Sequence, residues 1–407
     1  MKKTRGHPSR TAAELAAARR ARYPIFNRFS GECLSEGPQN LRGASPLGRR
    51  PTIHDVARSA AVSPATVSNV LTGRRRVDPE LASRVRTIVE ELGYRRDVAA
   101  SALRSTQRTV VGVIVPMFTN PFFAELVDRL EREARAEGKR LVVTASDSDP
   151  EEEARQIEAL AAWRPAGVIA VPCDGIFAAR EALDRDGVPY VVIDRPLDGG
   201  VQVDTVAVDN VAAAAEGARG LLAVGHRRLL VVASSTALGN IRERLSGIDA
   251  AIAAFPGARA EVIEAGFEQE EIAVNLRARL ANGPLPTAIF TLNNGLTLGT
   301  LKAIGPLGLE IPQDLSLLGF DDYDWMEVFR PPLSAIRQPV AELAQAAWQR
   351  LAALTGVTPL AGTPALCHVR LPCSLVWRGS VAPPRTSASA RDQAKQVAAA
   401  ITGRMGS

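Results

Sequence analysis

A chain of 407 residues, 46% hydrophobic and 23% charged, has room for two or three packed domains and is too apolar to be disordered throughout. No apolar run reaches the length of a membrane span, and the start, Met1 to Arg5, leads into charged, Ala-rich sequence rather than the apolar core of a secretory signal. The four cysteines, Cys33, Cys173, Cys367 and Cys373, lack zinc or redox spacing, so a membrane protein, an exported protein and a disulfide scaffold are set aside, and a cytoplasmic chain is expected.

The net charge of +5 is unevenly spread: residues 1–50 carry +8, residues 51–108 carry +4, and the remainder carries −7. A polyanion would therefore meet the N-terminal part. Residues 1–50, rich in Gly, Pro and Ser with few periodic apolar positions, are expected to be a basic, disordered extension; a start codon assigned upstream of the true one is the competing reading. Thr52 can cap a helix whose apolar residues Ile53, Val56, Ala57 and Ala60 recur three or four apart. Ser63 and Pro64 start a second helix with Val67, Val70 and Leu71 inward, which leaves Ala65, Thr66, Ser68 and Asn69 outward. Small and amide side chains on such a face can approach base edges and phosphates without steric conflict, as in the second helix of a helix-turn-helix. Gly73 then opens a turn with three cations, Arg74, Arg75 and Arg76, and Asp78-Pro79 begins a third helix that ends at Gly93. Residues 97–104 are a short helix candidate of small residues, too short to be stable alone. Paired with a second copy through Ala99 and Ala102, it could enter a minor groove with Leu103 wedged between base steps.

Taken together, residues 51–104 resemble the DNA-binding head and hinge of the lactose-repressor (LacI/GalR) family of transcription regulators. The shared motifs are Thr-Ile-x-Asp-Val-Ala from Thr52, Val-Ser-x-x-Thr-Val-Ser from Val62, Val-Leu-x-Gly from Val70, Leu-Gly-Tyr from Leu92 and Ala-Ala-x-x-Leu-Arg from Ala99. The resemblance implies that Pro64, Ala65 and Asn69 face bases and that Thr66, Ser68 and His54 lie nearer the DNA backbone; Thr52, Ser63, Arg75, Ala99 and Leu103 complete the candidate interface. Three positions depart from the family habit: Ala61 for Gly, Asn69 for Arg and Thr72 for Asn. Arg reads guanine with two bonds and Asn pairs best with adenine, so an altered base preference is expected.

From residue 109 apolar runs alternate with helical stripes. Val110–Val115, Leu141–Val143, Gly167–Val171, Val188–Ile193, Leu229–Ala233, Ala260–Ile263, Ala288–Leu292 and Leu315–Gly319 read as buried parallel strands, giving a doubly wound α/β architecture with enough units for two lobes. Ligands of such sheets sit beyond the strand ends. Candidates there are Phe122 after the first strand, Asp194 and Arg195, Asn293 and Asn294, Asp321 and Gln338, joined by Arg244; carboxylates accept hydroxyl bonds and the amides and guanidinium donate. Phe123 falls on the apolar stripe of its helix and reads as core. The resemblance continues to about residue 380 and implies a core similar to periplasmic sugar-binding proteins, with lobes of about 109–208 plus 340–367 and about 209–338 plus 368–380. It also implies that Arg244, Asn294 and Asp321 contact the effector. Leu238 lies in a stretch, Thr236 to Asn240, where purine-type members are expected to carry a cation, which favours a pentose, hexose or sugar acid over a purine.

No Gly-x-Ser-x-Gly, phosphate loop or His-Glu-x-x-His occurs, and His7, His54, His226 and His368 lie in unrelated contexts, so an enzyme is not expected, nor a cofactor or metal. An extracytoplasmic sugar carrier with the same core is the other rival, disfavoured by the head and the missing signal. Residues 381–407 read as a flexible tail without the leucine heptads of a tetramer, so a homodimer is expected. The resulting picture is a bacterial, nucleoid-associated repressor: two heads on a roughly palindromic operator, hinges at 97–108 between them, and operator affinity controlled, in either direction, by a sugar-like effector in the crevice.

Overall fold

The computed structural model describes residues 51–73, 75–94, 108–356 and 366–385. The expected basic extension, the hinge residues Ala99 and Leu103, Arg74 and the last part of the tail lie outside the described residues. The chain divides into two compact units between Arg96 and Asp97.

In the first unit, α1 (Ile53–Ser59), α2 (Pro64–Thr72) and α3 (Pro79–Glu91) enclose a small core of Val56, Ala57, Ala60, Val67, Val70 and Val85. Each start has its own cap. The Asp55 carboxylate accepts from the Thr52 N–H (2.8 Å) and the Thr52 hydroxyl (2.7 Å); Ser63 Oγ accepts from the Thr66 N–H (3.0 Å); Asp78 accepts from the N–H groups of Glu80 and Leu81. Such caps satisfy the orphan donors of a helix start and contribute about 1 kcal/mol each. Gly73 closes α2 in the left-handed conformation, and Arg84 Nη2 on α3 donates to the Ala60 carbonyl at the end of α1 (3.1 Å).

The second unit holds two six-stranded sheets. In chain order its elements are β1 (Val110–Val115), α4 (Pro121–Ala136), β2 (Arg140–Ala145), α5 (Pro150–Ala162), β3 (Gly167–Ala170), α6 (Arg180–Arg185), β4 (Tyr190–Ile193) and β5 (Thr205–Val208). Then follow α7 (Asn210–Val224), β6 (Arg228–Ala233), α8 (Gly239–Ala253), β7 (Arg259–Glu264), α9 (Gln269–Ala281), β8 (Ala288–Thr291), α10 (Asn294–Ile304), β9 (Ser316–Phe320), α11 (Asp324–Val328) and β10 (Ser334–Arg337). The chain ends through α12 (Val340–Leu354), β11 (His368–Leu371) and β12 (Ser374–Val376). The sheet orders are β11-β5-β4-β3-β1-β2 and β12-β10-β9-β8-β6-β7. The eight apolar runs all form strands, which is the α/β reading of the sequence.

Four strands carry no long apolar run and escape that reading: β5, β10, β11 and β12. The last of these pairs antiparallel to β10, so the second sheet is mixed rather than wholly parallel. Nor are all the runs buried: β7 forms an edge, and Val262 on it is 44% exposed. The chain crosses between lobes after β5 and after β10. The third crossing, expected near residue 367, falls between Leu371 and Ser374, because β11 pairs in parallel with β5 of the first sheet. The segment expected to be loose from residue 381 is held as far as Arg385: Ala382 N–H donates to Ser316 Oγ (3.0 Å), and Arg385 pairs with Asp314 (3.0 Å).

Close approaches lock the layers. A Cβ on Gly167 in β3 would lie 2.5 Å from Leu351 Cδ1, so glycine lets α12 lie on the first sheet; Gly247 likewise admits the Val211 carbonyl between α7 and α8. Asp204 accepts from Arg350 Nε (2.7 Å) and from the Cys367 N–H (2.8 Å), tying β5 to α12 and to the approach to β11.

Two buried titratable groups set opposite pH dependences. Burial pushes His226 down to about 4, so the folded chain keeps it neutral while the unfolded chain takes up a proton below its ordinary 6.5; stability is lost as pH falls through that window. Burial lifts Glu153 to about 7, although it accepts the Cys173 N–H at 2.8 Å. The unfolded chain then ionises first as pH rises, so this group costs stability between its ordinary 4.5 and about 7. Glu153→Gln should match the parent at pH 4.5 and exceed it by about 2–3 kcal/mol at pH 7.5 in urea unfolding. A stability difference that does not widen with pH would contradict a neutral Glu153.

Candidate functional site

The two units each offer a site. On the head, His54, Ser63 and Ala65 are exposed, while Thr52, Pro64, Thr66, Ser68 and Asn69 are partly exposed beside the buried Val67 and Val70. The side chains on α1 and α2 expected to face DNA are thus all at least partly exposed. Arg75 is exposed in the turn after Gly73. Ser63 and Thr66 have a prior engagement, since their hydroxyls lie 2.9 Å apart in the cap, which fixes both at the start of α2.

Ala61 occupies the turn between α1 and α2 with φ +53°. This is the left-handed region, where a side chain costs about 1 kcal/mol and glycine costs nothing. The departure from the family's Gly at this position therefore has a price in the folded head. Ala61→Gly should stabilise the head by up to about 1 kcal/mol, reduced by glycine's greater freedom when unfolded. Slower hydrogen exchange of the α1 and α2 amides would report it; faster exchange would refute the assignment of strain to this turn.

The second site lies where carboxyl ends of strands from both sheets converge. Asp194 follows β4 and Asp321 follows β9, and each strand is third from the β11 or β12 edge of its own sheet. Both aspartates are left-handed, with φ +67° and +74°. The Asp194 N–H donates to the Val206 carbonyl (2.9 Å), and the next N–H, of Arg195, folds back to the Ile193 carbonyl (2.8 Å), a tight three-residue turn. Asp321 N–H donates to the Ile336 carbonyl (2.9 Å). Backbone strain of about 1–3 kcal/mol at each position is held by these bonds, as is common where a side chain must be aimed.

Arg244 on α8 is 2% exposed and is the largest fully buried side chain. Its Nε donates to Asn210 Oδ1 (2.8 Å), its Nη1 to the Leu292 carbonyl (2.5 Å), and its guanidinium carbon lies 3.5 Å from the Phe320 ring centre. Nη2 has no partner. On the other side Gln338 Nε2 donates to Asp321 Oδ1 (2.6 Å) and the Asn294 N–H to Asp321 Oδ2 (3.1 Å), while Asn294 Oδ1 and Gln338 Oε1 are buried without partners. Orphan polar atoms this deep are costly unless a ligand or water meets them.

The two lobes meet across these groups. Asn240 Nδ2 on α8 donates to Asp194 Oδ2 (3.3 Å), and Arg242 pairs with Asp198. Arg195 donates from Nη1 to the Pro172 carbonyl (2.9 Å) and its guanidinium lies 5.7 Å from the Phe123 ring centre. Burial pushes the Asp194 carboxyl up, against the pull of Arg244 and Arg195, and burial pushes Arg195 down against Asp194. A cleft of ≈ 270 Å³ opens beside them, between Phe122 and Glu125 of the first lobe and Asp321, Tyr323 and Gln338 of the second. Burial raises the Tyr323 hydroxyl well above its ordinary range, so it stays a neutral donor.

The structure thus gathers Asp194, Arg195, Arg244, Asn294, Asp321 and Gln338, with Phe122 on the cleft wall. Asn293 is partly spent as the cap of α10, its Oδ1 accepting from the Leu296 N–H (2.9 Å). Phe122 and Phe123 are equally buried, each 3% exposed, and both join the core of the first lobe in edge contact at 5.3 Å, so burial does not separate them as the sequence suggested; Phe122 also borders the cleft. Sequence reasoning missed Asn210, Asn240, Glu125 and Tyr323. Asn240 sits one residue into the helix after β6, and the Gly-Asn pair at a strand-to-helix turn was the available signal. Asp322, adjacent to Asp321, also borders the cleft but is clamped by Arg337 and Arg378. Among the described residues no group of three or more His, Cys, Asp or Glu side chains is placed to hold a metal, and no helix is long and apolar enough to cross a membrane.

Comparison with known proteins matches residues 52–97 to the family model of bacterial regulatory proteins, lacI family, and residues 218–381 to a periplasmic binding protein-like domain. The HTH-type transcriptional regulator PtxS of Pseudomonas putida is 32% identical over 320 residues, 78% of this chain and 91% of that protein. Among solved structures, the Lac repressor dimer bound to operator and the anti-inducer ONPF is similar with a TM-score of 0.70 and 25% identity, covering 82% of this chain and all of that one. A transcriptional regulator CelR–cellobiose complex is similar with a TM-score of 0.61 and 27% identity, covering 81% and 100%.

Proposed function

The chain belongs to the lacI family of bacterial regulatory proteins, and on that premise we propose that it is a dimeric transcriptional repressor whose operator affinity is set by a sugar-like effector bound between its lobes. The observation that carries the reading is the union in one chain of a lacI head with a two-lobed core whose crevice holds unspent donors and acceptors. The relatives are regulators, not catalysts, and we read this chain as having no enzymatic activity. Its place of action is the cytoplasm, at the nucleoid.

The chemistry of the crevice suits a polyhydroxylated ligand. Asp194 and Asp321 are acceptors for ligand hydroxyls, Asn294 Oδ1 and Gln338 Oε1 add two more, and Arg244 Nη2 donates. Phe122 offers a flat apolar wall to a sugar face. The cellobiose held by the CelR regulator is one example of such a ligand in a similar structure.

Because both lobes contribute, occupancy changes the free energy of lobe closure, and the three crossings carry that change through the first lobe toward the segment that leads to the head. The coupling is reciprocal: if the effector weakens DNA binding by some factor, DNA weakens effector binding by the same factor.

Three outcomes are expected. A thermal-shift screen of neutral sugars and sugar acids should yield a ligand that raises the melting temperature. Asp321→Ala should weaken that ligand about 10–100-fold while leaving effector-free operator binding intact, because it removes charge-assisted hydrogen bonds; equal affinity in the variant would remove Asp321 from the site. Selection of operators from random DNA should return adenine where relatives with Arg at the Asn69 position prefer guanine, and Asn69→Arg should restore guanine. Selection of guanine by the parent chain would exclude a base-reading role for Asn69.

A further inference from the structure

We propose that the end of the second lobe remote from the crevice binds a small tetrahedral oxyanion of the phosphate class, held by Arg228, Arg259 and Arg279. Arg228 opens β6 and Arg259 opens β7, and the two are register partners on adjacent parallel strands. Opposite residues of neighbouring strands point to the same face, so two guanidiniums emerge side by side. Like charges in that relation destabilise a sheet. Neither side chain has a hydrogen-bond or ion-pair partner among the described residues.

A third guanidinium is brought in from α9. Arg279 forks onto Glu261, with Nη2 2.5 Å from Oε2, and Glu261 is two residues along β7 from Arg259. The hydrogen bonds from Arg279 hold the Glu261 carboxyl below its ordinary range, so it stays ionised and is committed to Arg279. Arg279 Nη1 is buried without a partner, and a Cβ on Gly283 would lie 2.6 Å from it, so the glycine makes the space this nitrogen occupies. Arg279 also lies in the last turn of α9, where a cation complements the helix dipole. That relation does not account for the pairing of Arg228 with Arg259.

These groups surround a hollow of ≈ 90 Å³ whose rim includes Pro284 and Pro286. Three guanidiniums against one carboxylate leave two positive charges facing a space suited to a compact anion rather than to a sugar ring. Guanidinium forks match the oxygens of phosphate in pairs, and the proline rim fixes the hollow before binding. The hollow stands at the amino ends of β6 and β7, whereas Asp321 and Asn294 stand beyond carboxyl ends, so the two sites are separate and this inference does not rest on the effector reading.

Calorimetric titration of the full-length protein with inorganic phosphate, with sodium chloride adjusted to hold ionic strength constant, tests it. Saturable binding with a Kd of about 1 mM is expected, about tenfold weaker in an Arg228→Ala/Arg259→Ala variant. In phosphate-free buffer that variant should melt no lower than the parent, since it loses only repulsion. Arg259→Glu, at an exposed position, should abolish binding outright. Glycerol 3-phosphate binding more tightly than phosphate would point to an esterified source, and equal binding to the free ion; either outcome supports the site. Binding no stronger than chloride's, or unchanged by the double substitution, would overturn it.

Discussion

A charged side chain sealed from water is the constraint around which the core is arranged. A buried guanidinium is costly unless acceptors meet it, and Arg244 is buried. Asn210 from α7, the Leu292 carbonyl at the end of β8 and the face of Phe320 at the end of β9 meet it, and in doing so they bring three separate segments of the second lobe to one point. Asn210 in turn donates to Glu243 (2.8 Å), which pairs with Arg370 on β11 of the first sheet. The same helix that carries Arg244 also carries Asn240 to Asp194. Removing the cation would orphan the Asn210 and Leu292 oxygens of the second lobe and take a positive charge from beside Asp194 of the first.

Symmetry of construction then explains why a crevice with chemistry on both walls exists. Each lobe places an aspartate in the left-handed conformation directly after the corresponding strand, and in each the strain is held by a backbone bond to the neighbouring strand. The interleaved connections matter as much. α12 belongs to the first lobe although it follows a strand of the second, and Trp348 on it donates to Glu137 (2.8 Å) at the end of α4. Motion of one lobe against the other is therefore carried by a few short crossings, not by a single flexible linker.

Legibility in the sequence followed the physics of each element. The head was readable because its caps, its left-handed Gly73 and its three-to-four spacing are local, and local signals survive in a one-dimensional string. Central strands were readable because burial on both faces demands continuous apolar runs such as Val110–Val115. Edge and terminal strands were not: β10, β11 and β12 are short, and β11 alternates exposed His368 and Arg370 with half-buried Val369 and Leu371, so nothing in composition separates them from loop. Site residues at strand ends, Asp194 and Asp321 among them, were legible as polar residues terminating apolar runs. Asn210 and Tyr323 were not, because they reach the site from helix starts through contacts between distant segments.

What the sequence determined by itself was the kind of molecule: a three-helix DNA reader ahead of alternating strands and helices, since periodicity, capping and turn chemistry act between neighbours in the chain. Only tertiary structure decided that β11 belongs to the first lobe, that Asp322 is clamped by Arg337 and Arg378, and that Arg228 and Arg259 stand side by side. Those outcomes depend on register and packing between residues tens of positions apart, where burial, pairing and charge are settled by what the fold brings within a few ångströms.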